Sequence, residues 1–258
     1  MSNQSIARAA EILSLFSLVR PQLKVTHIAR ELGLPIGTAH GLVRSMVESG
    51  LLSQGEDSRE YRLGLRLIEL GALEMASLEI NQKAAVPANY LAHETGFVVR
   101  VGVIDKTTVV ITYSSFPMTR GPTGPDLGTP VWAHCSSIGR SIMAFMPEKD
   151  AESLIKKLEF VKYTDRTIAD KPALMGELAL TRERGHSLIV NELINNLSSI
   201  GAPILGRKGT PVGGISISAE SFRLSDADIP RYARMVMDTA AQISTYMGYR
   251  WDVLGGRL

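Results

Sequence analysis

The tightest constraint on the fold lies between Val25 and Gly50, where two short periodic runs meet at Gly33-Leu34-Pro35. Thr26 is placed to accept hydrogen bonds from the first N–H groups of a short helix, His27 to Leu32. Gly33 offers the left-handed residue that stops that helix. Pro35 stands at a first helical position, where its missing N–H costs nothing. The helix that follows runs to Ser49, turns Ala39, Leu42, Val43 and Met46 inward, and stops at Gly50. Ahead of this pair, Ile6, Ala9, Ile12, Leu13, Phe16 and Val19 follow Ser5 at three- and four-residue spacings, so an amphipathic helix ends before Pro21. Behind it, Leu51-Leu52-Ser53 and Tyr61-Arg62-Leu63 flank a charged turn from Gly55 to Glu60, which reads as a short hairpin. Helix, short helix, glycine turn, helix and hairpin make the order of a winged helix-turn-helix, assigned to residues 1–64.

A helix that enters the DNA major groove must offer donors to base edges and phosphates. The outward positions of the third helix are Ile36, Gly37, Thr38, His40, Gly41 and Arg44. Thr38, His40 and Arg44 supply donors, Gly37 and Gly41 permit close backbone approach, and Arg59 and Arg62 on the wing add phosphate contacts. Residues 1–66 hold eight Lys and Arg against six Asp and Glu, so the whole net charge of +2 sits there. That surplus is small, and a three-helix module for protein contacts, a scaffold that binds no DNA, stands beside the DNA-binding reading.

From Leu65 to Ile80 the apolar residues, Leu65, Leu67, Ile68, Leu70, Leu73, Met75, Ala76 and Leu78, cover more than one helix face. Residues 65–80 therefore read as a linker helix that seeks burial, either as a dimer element or as an ordinary core helix. Residues 81–258 read as an α+β domain. A helix over Ala84–Glu94 ends at Gly96, and period-two runs at 97–104 and 109–113 flank the turn Asp105-Lys106-Thr107. A long loop spans Phe116 to Thr129, helices follow at Ile138–Met146, Glu148–Leu158 and Leu174–Arg184, and strands Ser199–Leu205 and Val212–Ser218 pair across Gly206 to Gly209. Ser225 and Asp228 resemble a capping box that opens the last helix.

Composition narrows the function classes. At 45% hydrophobic and 21% charged residues the chain is ordinary globular protein, and no apolar run approaches the length of a membrane span. One cysteine, Cys135, makes no internal disulfide or metal-ligand spacing, which suits a cytoplasmic protein with no metal and no cofactor. An enzyme is the rival class, because His134 and Cys135 invite a nucleophile-and-base reading. Adjacent side chains seldom point at one another, however, and nothing orients the base, so no catalytic residue is assigned. Ala133 to Gly139 places small residues ahead of a helix, whose first N–H groups attract carboxylates, with Ser136 and Ser137 as added donors; alternatively one serine merely caps the helix.

The stretches "ARAAEILSLF", "VTHIARELGLPIGTAHGLVRSMVESGLL", "YRLGLRLIELG", "LAHETG", "AHCSSIGRSIMA", "ERGHS" and "IGAPILGRKGTPVGGISIS" together resemble the IclR-type transcription regulators over nearly the whole chain. The resemblance implies a GAF-like effector-binding domain after the linker, dimers or tetramers, an operator in double-stranded DNA, and control of catabolic genes. Thr38 and His40 match the family pattern, whereas Ile36, Gly37 and Gly41 replace its usual basic residue, serine and arginine. It also implies an effector pocket lined by the Ser136-Ser137-Ile138-Gly139 segment, Ser199, and the alternating Ser216 and Ser218, with Val131, Trp132 and Ile189 nearby. Ser199 stands where relatives often carry Cys, and Ile189 near a position where some carry Asp. A weakly polar pocket of this kind suits a small organic acid, aromatic or otherwise apolar at one end. Arg120 on the long loop reads as a solvated arginine, with pairing to such an acid as the alternative.

Overall fold

A computed structural model describes residues 4–55, 58–117 and 127–250. The chain divides into two compact units, Met1–Ala76 and Ser77–Leu258, and the division falls within residues 65–80. The first is a winged helix-turn-helix, the second a GAF-like α+β domain. Among the described residues no helix is long and apolar enough to cross a membrane.

The first unit comprises α1 (Gln4–Ser14), β1 (Leu23–Lys24), α2 (Val25–Glu31), α3 (Ile36–Glu48), β2 (Leu52–Gln54) and β3 (Glu60–Leu63), with α4 (Arg66–Ser77) after them. Ile12, Leu23, Ile28, Val43, Met46, Leu52 and Tyr61 form its core. The turn between α2 and α3 is a Schellman motif: Leu34 N–H donates to Ala29 O at 2.8 Å and Gly33 N–H to Arg30 O at 3.2 Å, with Gly33 at φ +60°.

Several elements differ from expectation. α1 ends at Ser14 rather than near Val19, and Leu18 and Val19 are exposed. The Ser14 hydroxyl bonds Ala10 O, while Ser17 and Arg20 close a turn on each other just before Pro21, which disfavours helix at the residue preceding it. Thr26 lies inside the first turn of α2 and is not its cap, because the extended strand β1 carries the chain to Lys24, the residue at the cap position. Pro35 is likewise the cap residue of α3, at ψ 139°, and not its first helical residue; its carbonyl accepts the N–H of Ala39 at 3.1 Å. β1 joins the wing as a third strand, in the order β1-β3-β2.

The helix expected to run from Leu65 to Ile80 is broken at Leu78, whose carbonyl instead starts α5 (Glu79–Thr95) by accepting the N–H groups of Asn81 and Gln82. Its N-terminal piece, α4, buries no residue in this chain, and Leu65, Ile68 and Leu73 are largely exposed.

In the second unit a six-stranded antiparallel sheet runs in the order β6-β5-β4-β9-β8-β7. Its strands are β4 (Val98–Asp105), β5 (Thr108–Ser115), β6 (Pro130–Trp132), β7 (Ser187–Val190), β8 (Leu197–Leu205) and β9 (Pro211–Glu220). α5 and α9 (Ile229–Tyr246) cover one face over Val99, Val101, Ile200, Ala202, Ile215 and Ile217. α6 (Ser137–Phe145), α7 (Glu148–Ile155) and α8 (Lys171–Arg184) contribute the second core, with Val109, Ile111 and Ile142 at its centre. α8 starts earlier than its apolar period suggests, because Asp170 caps it by accepting the N–H of Ala173 at 2.8 Å. Ser225 and Asp228 form no capping box: their side chains bond each other at 2.5 Å, and α9 begins only at Ile229.

Two devices fix the surroundings of the α6 start. The first is close approach: a Cβ at Gly201 would lie 2.7 Å from the carbonyl carbon and oxygen of Ser137, and one at Gly139 would lie 2.4 Å from Ala133 O. The helix thus rests directly on β8. The second is a buried ion pair. Arg140, 1% exposed, donates from Nη1 to Glu192 Oε1 at 2.9 Å, from Nη2 to Oε2, and from Nε to His134 O at 2.6 Å. Glu192 Oε2 also accepts Ile168 N–H, and its backbone carbonyl takes the hydroxyls of Thr164 and Thr167. The connection between β7 and β8, bounded by Asn191 and Asn196 at positive φ, is thereby tied to α6.

Gly201→Ala is expected to destabilise the second unit by about 1–3 kcal/mol through overpacking, read as a lower urea midpoint by circular dichroism; an unchanged midpoint would mean that α6 can lift off β8 freely. Glu192→Leu leaves a buried guanidinium without its carboxylate and should cost about 3–5 kcal/mol, whereas the double change Arg140→Met with Glu192→Leu should recover most of that loss.

Candidate functional site

In the first unit the period of α3 turns Ala39, Val43 and Met46 inward and leaves Ile36, Gly37, Thr38, His40, Gly41 and Arg44 exposed, with Pro35 at the entrance. Arg44 Nε donates to Glu48 Oε1 at 3.0 Å, one turn along the same helix. Both side chains are mostly exposed, so this pair contributes only about 0.3–0.5 kcal/mol and yields readily to a phosphate. Gly37, Thr38 and Gly41 border an open groove shared with Ile6 and Ala9 of α1. A Cβ at either glycine would meet nothing within 4 Å, so packing within this chain does not require glycine there. On the wing, Arg59 and Arg62 are exposed, and Arg62 Nε donates to Ser53 Oγ at 3.1 Å. Thr26 is exposed on α2.

In the second unit strand alternation assembles a cavity beneath the start of α6. Ile215, Ile217 and Ala219 of β9 point into the α5/α9 core, so Ser216 and Ser218 share the opposite face. Antiparallel register sets Ser216 beside Arg100 of β4 and Gly201 of β8, and Ser218 beside Ser199, which in turn faces Ile189 of β7. The cavity has a volume of about 440 Å³, part of it open to solvent.

Of the ten residues expected to line a pocket, Val131, Ser136, Ser137, Ile138, Ile189, Ser199, Ser216 and Ser218 do line this cavity. Trp132 and Gly139 are not among them. Trp132 packs instead against the second core, and Gly139 is where α6 touches the Ala133 turn. Arg120 lies outside the described residues. Sequence reasoning missed Arg100, Ile111, Cys135, Leu193 and Leu197. Among the described lining residues Arg100 is the one permanently charged side chain, and it is 3% exposed.

The hydroxyls near α6 already serve the protein. Ser136 Oγ caps the helix by accepting Gly139 N–H at 3.3 Å, Ser199 Oγ donates to Ser137 Oγ at 3.0 Å, and Ser187 Oγ donates to Ser137 O at 2.6 Å. The N–H groups of Ser137 and Ile138, at the first two helical positions, have no intrahelical acceptor.

His134 and Cys135 do not engage each other. The Cys135 thiol donates to Trp132 O at 3.4 Å, and His134 Nε2 lies 3.2 Å from Val161 O. Burial pushes the thiol up to about 12, opposed by the nearby Arg140 charge, and so keeps it protonated. Burial likewise lowers the imidazole below its usual value, against the Val161 carbonyl bond. A thiol held neutral is a poor nucleophile. Among the described residues no group of three or more His, Cys, Asp and Glu side chains gathers as a metal site would require.

Two sequence profiles match the chain: one described as the IclR helix-turn-helix domain, over residues 5–56, and one described as the bacterial transcriptional regulator IclR C-terminal region, over residues 73–245. A glycerol operon regulatory protein of Streptomyces coelicolor is 31% identical over 95% of this chain and 96% of its own length. The HTH-type transcriptional regulator XynR of Escherichia coli is 27% identical over 95% of this chain and 98% of its own. The crystal structure of the Thermotoga maritima IclR superposes with a TM-score of 0.75 at 26% identity, covering 95% of this chain and 99% of that one. With a helix-turn-helix and wing in one unit, a donor-lined cavity in the other, and both profiles matched in order, this chain belongs to the IclR family of bacterial transcriptional regulators.

Proposed function

We propose that the protein holds a DNA operator through the outer face of α3 and alters that hold when a small organic acid fills the cavity under α6. The observation that carries this reading is the cavity lining: hydroxyls, a guanidinium and a helix start, together with the apolar Ile111, Val131, Ile189, Leu193 and Leu197. Such a lining suits a ligand with an oxyanion at one end and carbon at the other. Thr38, His40 and Arg44 reach the base edges; Thr26, Pro35, Gly37, Arg59 and Arg62 lie against the backbone. The targets are catabolic genes, a reading supported by the relative that regulates a glycerol operon, and the protein works in the cytoplasm.

The unburied apolar helix α4 supports a homodimer, or a tetramer built from dimers. Two copies of α3 on one duplex face require half-sites one helical turn apart, or a multiple of it. Footprinting on DNA upstream of the protein's own gene should therefore protect a partly palindromic site. Arg44→Ala should weaken the complex and, where Arg44 reads a base, relax preference there by roughly 1–3 kcal/mol. A monomer that leaves no footprint at low salt would overturn this reading.

An effector that binds only the folded state stabilises it by about 2.7 kcal/mol at a hundredfold excess over Kd, so a melting screen of carboxylates should reveal it. To regulate, it must also prefer one state of the protein, since equal affinity for both shifts nothing. Ser216→Val combined with Ser218→Val should abolish the response and leave ligand-free operator binding intact. A double variant that responds with wild-type affinity would place the effector elsewhere.

A further inference from the structure

We propose that Ile36, at the start of α3, is a specificity residue of the DNA-binding face: its side chain packs on the C5 methyl group of a thymine in each half-site of the operator. This rests on the operator reading above and adds to it the identity of one base.

The outer face of α3 is poor in the groups that read bases most often. Arg or Lys hydrogen-bonded to guanine is the commonest specific contact, and the first two turns of α3, Ile36 to Leu42, contain neither residue. Arg44 lies further along and shares its guanidinium with Glu48. Thr38 and His40 remain as polar readers, beside one large apolar side chain that is 52% exposed, Ile36. A lone apolar residue on a surface means little by itself. Ile36 is distinguished by its place and its shape. It occupies the first helical position after Pro35, and the N-terminal residues of a recognition helix are those that meet base edges. Being β-branched, it has few rotamers, so little freedom is lost when its methyl groups are held against a surface.

The bases narrow what such a side chain can gain. In the major groove adenine, guanine and cytosine present donors and acceptors, whereas thymine alone adds a methyl group. An isoleucine set against the other three would cover polar edges that it cannot satisfy. The contact is also short-ranged: carbon atoms attract one another best at about 3.5–4.0 Å, so α3 has to sit deep in the groove. Helix period gathers Gly37 and Gly41 in the middle of the outward face, opposite Ala39, Val43 and Met46. Ile36 and His40 then run along one margin of that bare strip, with Thr38 on the other. A Cβ at either glycine would meet nothing within 4 Å, so the chain's own packing does not require them. Their bareness brings the helix close enough for Ile36 to touch a base.

The test uses the full-length protein on the site it protects upstream of its own gene. Each thymine in turn is replaced by deoxyuridine, which keeps the base pair and removes only the methyl group, and Kd is read by gel shift. One thymine per half-site should stand out. Removing one buried methyl group should weaken binding about three- to fivefold, and removing both about ten- to twentyfold. Ile36→Ala should weaken binding at least as much and should no longer distinguish thymine from deoxyuridine at that position. Ile36→Val, which keeps the branch at Cβ, should retain the distinction, and so should Thr38→Ser, which removes the other methyl group of this face. An unchanged melting temperature shows that each variant is folded. A wild type that binds every deoxyuridine duplex as tightly as the thymine duplex would overturn the assignment without recourse to any variant. An Ile36→Ala protein that still distinguishes the two, or a Thr38→Ser protein that does not, would overturn it by placing the methyl contact on another side chain. A protein that protects no upstream DNA would overturn the operator reading itself, and this assignment with it.

Discussion

The second unit depends on how closely the start of α6 approaches the sheet and on the salt bridge that secures it there. Gly201 removes the side chain that would hold Ser137 away, Gly139 lets the helix fold back on Ala133, and Arg140 then reaches past His134 to Glu192. A buried ion pair of this kind is a weak source of stability, because desolvation offsets much of its attraction. Its value here is geometric. Residues 52 positions apart in sequence hold α6 and the β7–β8 connection together, and Leu193 and Leu197 of that region wall the cavity. The cavity is well defined because its roof and one wall belong to a single hydrogen-bonded network.

The first unit works on a different principle. Its core is small and formed from one or two residues per element, and the α2–α3 geometry is set by a backbone motif rather than by side chains. Gly33 at positive φ and the two carbonyls it lets the turn satisfy determine where α3 departs from α2. The outer face of α3 is consequently free of structural duty, and a side chain at Gly37 or Gly41 would meet nothing within 4 Å.

What could be read in the sequence was whatever a local rule determines. Gly33, Gly50, Gly96 and Gly209 all adopt positive φ at element ends, and the period-two runs of β4, β5, β8 and β9 are unambiguous. Elements that exist only through tertiary pairing escaped. β1 is two residues long and β6 three, and neither has a period to detect. The break at Leu78 is hidden because the apolar pattern continues across it. Ser216 and Ser218 were legible as a pair by alternation, whereas Arg100, subject to the same rule on β4, was passed over inside a valine-rich run. Only its register with Ser216 marks it as part of the same wall. Trp132 and Gly139 lie near the Ser136–Ile138 segment in sequence but outside the cavity lining, since Trp132 packs on the second core and Gly139 sits where α6 meets the Ala133 turn.

The alternation along β9 has a consequence for how the chain finds its fold. Ile215, Ile217 and Ala219 enter the core while Gly214, Ser216 and Ser218 face α6, and Gly214 is crowded by Ile138 Cγ2 at 3.1 Å from where its Cβ would stand. A slip of one residue against β4 or β8 would exchange the two faces, sinking hydroxyls into the aliphatic layer and driving isoleucine side chains into the seat of α6. Both errors are penalised at once and on opposite sides of the sheet. The strand that carries the cavity serines therefore acts as a proofreading element for the register of the sheet around it.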